Sequence, residues 1–215
     1  MPVSTRTLAL TSATSLSAFA AVVVLLNLVQ HSDYSARSQA MSELALGRGG
    51  GLMLVAFVLM GAGTFALAVV LRRELPHATI APVVLAVAAL LDVVSAFFHT
   101  NRTGEPATTT STIHQIAGIS TFVLVMVAIV ATVRHLRRSP RWSPYTVPTV
   151  CWSLVCIAAF FLIPVLGDAS FGLAQRIFVA TWLSWMITAA LVASRLNDRR
   201  ALSEMARTTA DRARA

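Results

Sequence analysis

The sequence predicts an all-α polytopic membrane protein, a bundle of six transmembrane helices with both termini in the cytoplasm (N-in/C-in). Three observations carry that expectation. Hydrophobic residues make up 56% of the chain and charged residues only 12%. An ordinary globular domain is roughly 25% charged, so the chain has too little polar surface for a water-soluble fold. Six apolar stretches approach the roughly 20 residues that a helix needs to cross a bilayer core. The basic residues sit between those stretches and favour one side of them, as topology determinants do.

The six stretches cover residues 8–28, 51–71, 80–98, 112–133, 147–165 and 171–193. Helix is the form expected of each, because backbone N–H and C=O groups in lipid must pair within the segment. The strands of a membrane barrel would alternate polar and apolar residues, and these runs do not. In the first stretch, Ala18-Phe19-Ala20 looks like a signal-peptide cleavage site. Its most apolar part follows that site instead of preceding it, so a retained helix is expected. The second stretch carries Gly61, Ala62 and Gly63, a small-residue face that permits close helix contact. Asp92 lies in the third stretch, and His114 opens the fourth. The fifth holds Cys151 and Cys156, which are expected to pack as small apolar residues. Pro164 bends or ends that helix, leaving Gly167-Asp168 as a turn. Arg176 falls in the first two turns of the sixth.

Orientation follows from the arginines, which account for all 17 basic residues. Thirteen lie in the N-terminus, the second and fourth loops and the tail; Arg37, Arg48 and Arg102 lie opposite, with Arg176 at that edge of the membrane. This bias places both termini in the cytoplasm and the chain in the inner (plasma) membrane as a multi-pass protein. Residues 1–194 form the transmembrane domain and 195–215 a basic cytoplasmic tail, read either as a stop signal or as a short helix near anionic lipid. Trp142 and Tyr145 suit an interfacial aromatic belt. The net charge of +8 does not imply nucleic acid, because the arginines are not interleaved with base-stacking aromatics. The bilayer and a small-molecule or lipid ligand are the expected partners, and a homo-oligomer is compatible with the pattern.

The varied polar side chains collect at the outer helix ends. Asp92 lies about six residues, roughly 9 Å, below the outer end of its helix, and Ser95 and His99 are read onto the same face. An ionisable group at that depth costs a few kcal/mol, about 3, unless paired or hydrated. Asp92 is therefore read either as part of a proton or ligand site, or structurally, as one half of an Asp92–Arg176 clasp between helices or as an Asp held protonated by its apolar setting. His31, His99 and His114 with Asp33, Glu43 and Asp92 supply ligand chemistry, but none has the spacing of a metal-binding pair. Neither metal nor haem is expected, and no cofactor.

Four short elements carry a resemblance. Ser42-Glu43-Leu44-Ala45-Leu46-Gly47 is similar to an S-[DE]-x-A-L-G element, and Ile113-His114 with Ala117-Gly118 to a G-x-I-H element. Gly172-Leu173-Ala174-Gln175-Arg176 is similar to G-L-x-Q-R. Phe98-His99-Thr100-Asn101 stands where F-P-T-D is usual. In this order they resemble the bacterial membrane family called domain of unknown function 998, over residues 31–190. The resemblance implies six helices and brings no activity with it. Here His99 replaces the usual Pro and Asn101 the usual Asp; Asn101 can hydrogen-bond but cannot titrate.

Ser42, Glu43, Asp92, His99, Asn101, His114, Gln175 and Arg176 are thus the candidate ligand-binding residues. Three functions fit them. The first is an outward-facing polar cavity that binds a small molecule or lipid headgroup, or passes it across. It expects Glu43, His114 and Arg176 to converge. The second is a membrane-embedded enzyme on a lipid or prenyl substrate, with His114 as general base or metal ligand and Arg176 stabilising an anion such as phosphate. The third is a structural or assembly protein whose polar groups serve folding alone.

Overall fold

The computed structural model describes residues 3–75 and 77–214. Among them are six long helices and no strand. The helices are α1 (Thr5–Val29), α2 (Gly51–Glu74), α3 (Ile80–Phe97), α4 (Thr109–Arg138), α5 (Thr146–Leu166) and α6 (Phe171–Arg214). Each is long and apolar enough to cross a membrane. Consecutive helices run up and down as neighbours, and α6 returns against α1 to close the ring. An even number of crossings brings both termini to one end, where Arg73 Nη1 donates to Val3 O at 2.8 Å and Arg6 pairs with Asp198. This is the arginine-rich end.

The helices outrun the apolar stretches, because hydrogen bonding continues where hydropathy stops. Ser4 caps α1, its Oγ accepting from Thr7 N at 3.0 Å, and so extends the helix before Leu8. Helix α6 continues without interruption past residue 194 to Arg214. Its sequence there is rich in Arg and Ala, both good helix formers.

Close packing uses the small-residue face of α2. A side chain at Gly61 would meet Ala89 O of α3 at 2.7 Å, and one at Gly63 would meet Leu16 of α1 at 2.8 Å. The two glycines thus serve opposite neighbours. Large apolar side chains such as Val24, Leu90, Leu154 and Val165 remain on the outside. That is the inverse of a soluble protein's surface and suits lipid. Cys151 and Cys156 are both free thiols, the first exposed and the second buried.

At the arginine-rich end Glu74 gathers three elements. It accepts from Trp142 Nε1 at 3.3 Å and Asn197 Nδ2 at 3.0 Å, and lies 3.8 Å from Arg141 Nη1. Trp142 is only 2% exposed, so it belongs to the packed interior and not to an interfacial belt. The space between the helices is almost closed there, with a void of about 20 Å³ beside Trp142 and Trp152.

Candidate functional site

The other end is built differently. The chain between α1 and α2 folds back over the bundle as turns and a short 3₁₀ helix, Met41–Leu46. The segment between α3 and α4 crosses beside it. Glu43 ties these loops together. Its Oε1 accepts from Ala40 N at 3.0 Å and Thr103 Oγ at 2.7 Å, and its Oε2 from Gln39 Nε2 at 3.0 Å and Thr103 N at 3.1 Å. Four donors occupy the carboxylate's lone pairs, so a buried acid is held without a cation.

The sixth helix fastens the same loop. Gln175 Oε1 accepts from Met41 N at 2.8 Å, and Leu173 N donates to Arg37 O at 2.9 Å. Arg176 Nη1 donates to Ala36 O at 2.9 Å, Gln39 O at 3.1 Å and Gly172 O at 2.9 Å. Its Nη2 reaches Asn27 Oδ1 at 3.4 Å and donates to the Tyr34 hydroxyl, which in turn donates to Ala40 O at 2.8 Å. The guanidinium also lies 5.4 Å from the centre of the Tyr34 ring. Burial pushes the Tyr34 phenol above its ordinary value of 10.0, against the opposing pull of Arg176. Gly172 makes the approach possible: a Cβ there would stand 2.2 Å from Gln39 O.

The clasp expected between Asp92 and Arg176 does not form. Arg176 is spent on loop carbonyls, acceptors that side-chain identities do not reveal. Asp92 is instead approached by hydroxyls, Thr64 Oγ at 3.4 Å and Thr121. His99 is a second correction. Helix α3 ends at Phe97 and Phe98 is extended (φ −106°, ψ 113°), so the periodicity that joined His99 to Asp92 and Ser95 is broken before it. His99 is exposed.

His114 takes the place nearest that break. Its Nδ1 lies 2.8 Å from Phe98 O and 3.2 Å from Ser95 O. Both partners are carbonyls, so Nδ1 carries the proton and the neutral ring keeps its lone pair on Nε2. The ring is held edge-on by Phe57, with centroids 5.7 Å apart. Asn101 pins the following loop through Pro106 O (2.5 Å) and Thr108 Oγ (3.2 Å), and Thr108 Oγ caps α4 at Ser111 N.

Inside this collar lies a cavity of about 770 Å³ to which all six helices contribute. That is within the usual 300–1,000 Å³ range of small-molecule sites. Of the eight candidate residues, Ser42, Glu43, Asp92, Asn101, His114 and Gln175 line it; His99 and Arg176 do not. The sequence reading missed Phe57, Thr121, Phe160 and Trp182 in the lining. Two of these were within reach of spacing arguments: Thr121 follows His114 by seven residues and Trp182 follows Gln175 by seven, which puts each pair on one helix face. Among the described residues no three His, Cys, Asp or Glu side chains gather as a metal site.

Fold and cavity together define a class, the polytopic membrane protein of six helices enclosing a central chamber under a loop collar. The profile of a family described as a protein of unknown function (DUF998) matches residues 16–192, and the chain belongs to that family. No curated protein and no solved structure matches it. The four short elements by which the sequence resembled this family meet in the collar. Met41, just ahead of the Ser42–Gly47 element, donates to Gln175 of Gly172–Arg176, the Phe98–Asn101 element meets His114, and Glu43 joins the two halves through Thr103.

Proposed function

We propose that this is a binding protein of the inner (plasma) membrane, N-in/C-in, whose cavity opens outward and takes a small molecule or lipid headgroup. The observation that carries this reading is the chamber itself, with a polar rim at the loops and aromatic walls of Phe19, Phe57, Phe122 and Phe160 below. A cavity of that shape suits a ligand with one polar end and an apolar body. The arginine excess on the opposite end supports the outward orientation. The enzyme reading loses one of its parts, because the Arg176 guanidinium that would stabilise an anion is engaged by the loop. The assembly reading leaves the chamber without a purpose.

Gly118 supplies the test. It lines the chamber, and a Cβ there would meet nothing within 4 Å, so the side chain of Gly118→Phe starts into open space. In native mass spectrometry of protein extracted in maltoside, the wild type should retain a bound molecule that Gly118→Phe lacks, at unchanged thermal stability. Identical spectra with no adduct would sink the binding reading. Labelling of a cysteine placed in the tail by an impermeant reagent outside the cell would overturn the orientation.

A further inference from the structure

We propose that the chamber selects a cationic amphiphile, an alkylammonium or quaternary ammonium group on an apolar body, admitted sideways between α4 and α5 with Asp92 as its counter-charge. The inference rests on the binding reading and narrows it to a ligand chemistry.

The charge of the lining runs against that of the chain. The protein has 17 basic and 9 acidic residues. Among the described residues of the chamber wall the acids are Glu43, Asp92, Glu105 and Asp168, and the lone cation is Arg102. A site for phosphate or another anion would show the reverse charge balance, with arginine forks turned inward. Arg176, well placed in sequence for that role, does not line the chamber, and both its Nη groups bond elsewhere, to Ala36 O, Gln39 O, Gly172 O, Asn27 Oδ1 and the Tyr34 hydroxyl.

Asp92 gives the asymmetry a focus. It is 2% exposed, lies below the collar on the chamber wall, and has hydroxyl partners in Thr64 and Thr121. An ionised carboxylate buried without a cation is unfavourable, and a ligand cation offsets that penalty. The walls around it are Phe19, Phe57, Phe122, Phe160 and Trp182. Aromatic faces attract organic cations through their quadrupole, quaternary ammonium ions above all. A deep carboxylate inside an aromatic box is therefore a complementary site for such a group.

The route follows from packing. Among helices adjacent in sequence, α4 and α5 are the least closely packed. On these two helices Ile119 of α4 and Phe161 of α5 both line the chamber while remaining 60% and 64% exposed. The seam faces the bilayer, so a ligand with an apolar tail reaches the chamber from lipid without passing the loop collar.

The test is calorimetric titration in maltoside micelles, corrected for micelle partition, with dodecyltrimethylammonium and its chain-matched anion dodecyl phosphate. The wild type should bind the ammonium at least about tenfold more tightly than the phosphate. Asp92→Asn should lose about tenfold in ammonium affinity and little in phosphate affinity, while Gly118→Phe abolishes both. Should Asp92→Asn fail to fold, the preference of the wild type decides alone. Equal or tighter phosphate binding that Gly118→Phe still blocks overturns the cation inference and leaves the chamber a binding site. Absence of any binding blocked by Gly118→Phe removes the binding reading itself. A bulky side chain at Ile119, Ile119→Trp, should slow ammonium association with little change at equilibrium; unchanged association rates refute the lateral route.

Discussion

Each end of this bundle is organised around one glutamate, and the two ends come to opposite results. Glu74 draws Trp142, Asn197 and Arg141 together over a nearly filled interior. Glu43 draws two loops together over a chamber of about 770 Å³. The donors differ in kind. Glu74 is met by side chains that project from helices and from a nearby turn, so satisfying it pulls α2, α6 and the α4–α5 connection into contact. Glu43 is met mostly by loop groups, two of them backbone N–H, so satisfying it spans a gap without drawing helices together. A buried acid can close a bundle or roof it over, according to which elements carry its donors.

Removing each glutamate should break the comparison unequally. Glu43→Ala strips acceptors from Thr103, Gln39 and Ala40 at once, and should cost about 3 kcal/mol of stability, read as thermal unfolding in maltoside. It should also free the 98–108 loop, seen as faster proteolysis there. Glu74→Ala should cost less, about 2 kcal/mol, since Arg141 is 40% exposed at 3.8 Å and contributes little. Proteolysis at the collar should not change. Equal losses, or collar cleavage in both variants, would show that the two ends are not independent.

The smallest effect sharpens the picture of the collar. Tyr34→Phe deletes the hydroxyl that links Arg176 to Ala40 O and should cost about 1 kcal/mol. Because burial raises the folded phenol above 10.0, the stability owed to its neutral form is complete below pH 10. It is lost only as pH climbs through the folded value. Tyr34 and Tyr145 are the two tyrosines of the chain, so the tyrosinate absorbance lost in Tyr34→Phe reports this residue alone. That component should appear above pH 10, and its appearance below would contradict the buried setting.

Hydropathy made the six spans legible because lipid imposes one length and one hydrogen-bonding solution on every crossing. Helix ends were less so, since caps such as Ser4 and good helix formers such as those of the tail act beyond the lipid. In the site, Asp92 with Ser95 and the pair Glu43 and His114 were readable from position and motif. His99 was misplaced because a helix end at Phe97 has no signal in the apolar pattern. Arg176 was assigned the wrong partner for a more general reason. Opposite charges in a sequence invite pairing, whereas the carbonyls of a folded-back loop, which won here, leave no mark in side-chain composition. The chamber walls were hidden because phenylalanines that face a cavity and those that face lipid look alike until the helices are assembled.

The sixth helix has one further consequence. Its 44 residues run unbroken from the collar, past Glu74, and beyond the bundle. At 1.5 Å per residue it is a rod of about 66 Å. One continuous helix thus joins the chamber's roof at Gln175, through a stretch packed in the bundle as far as Asp198, to an exposed end beyond it.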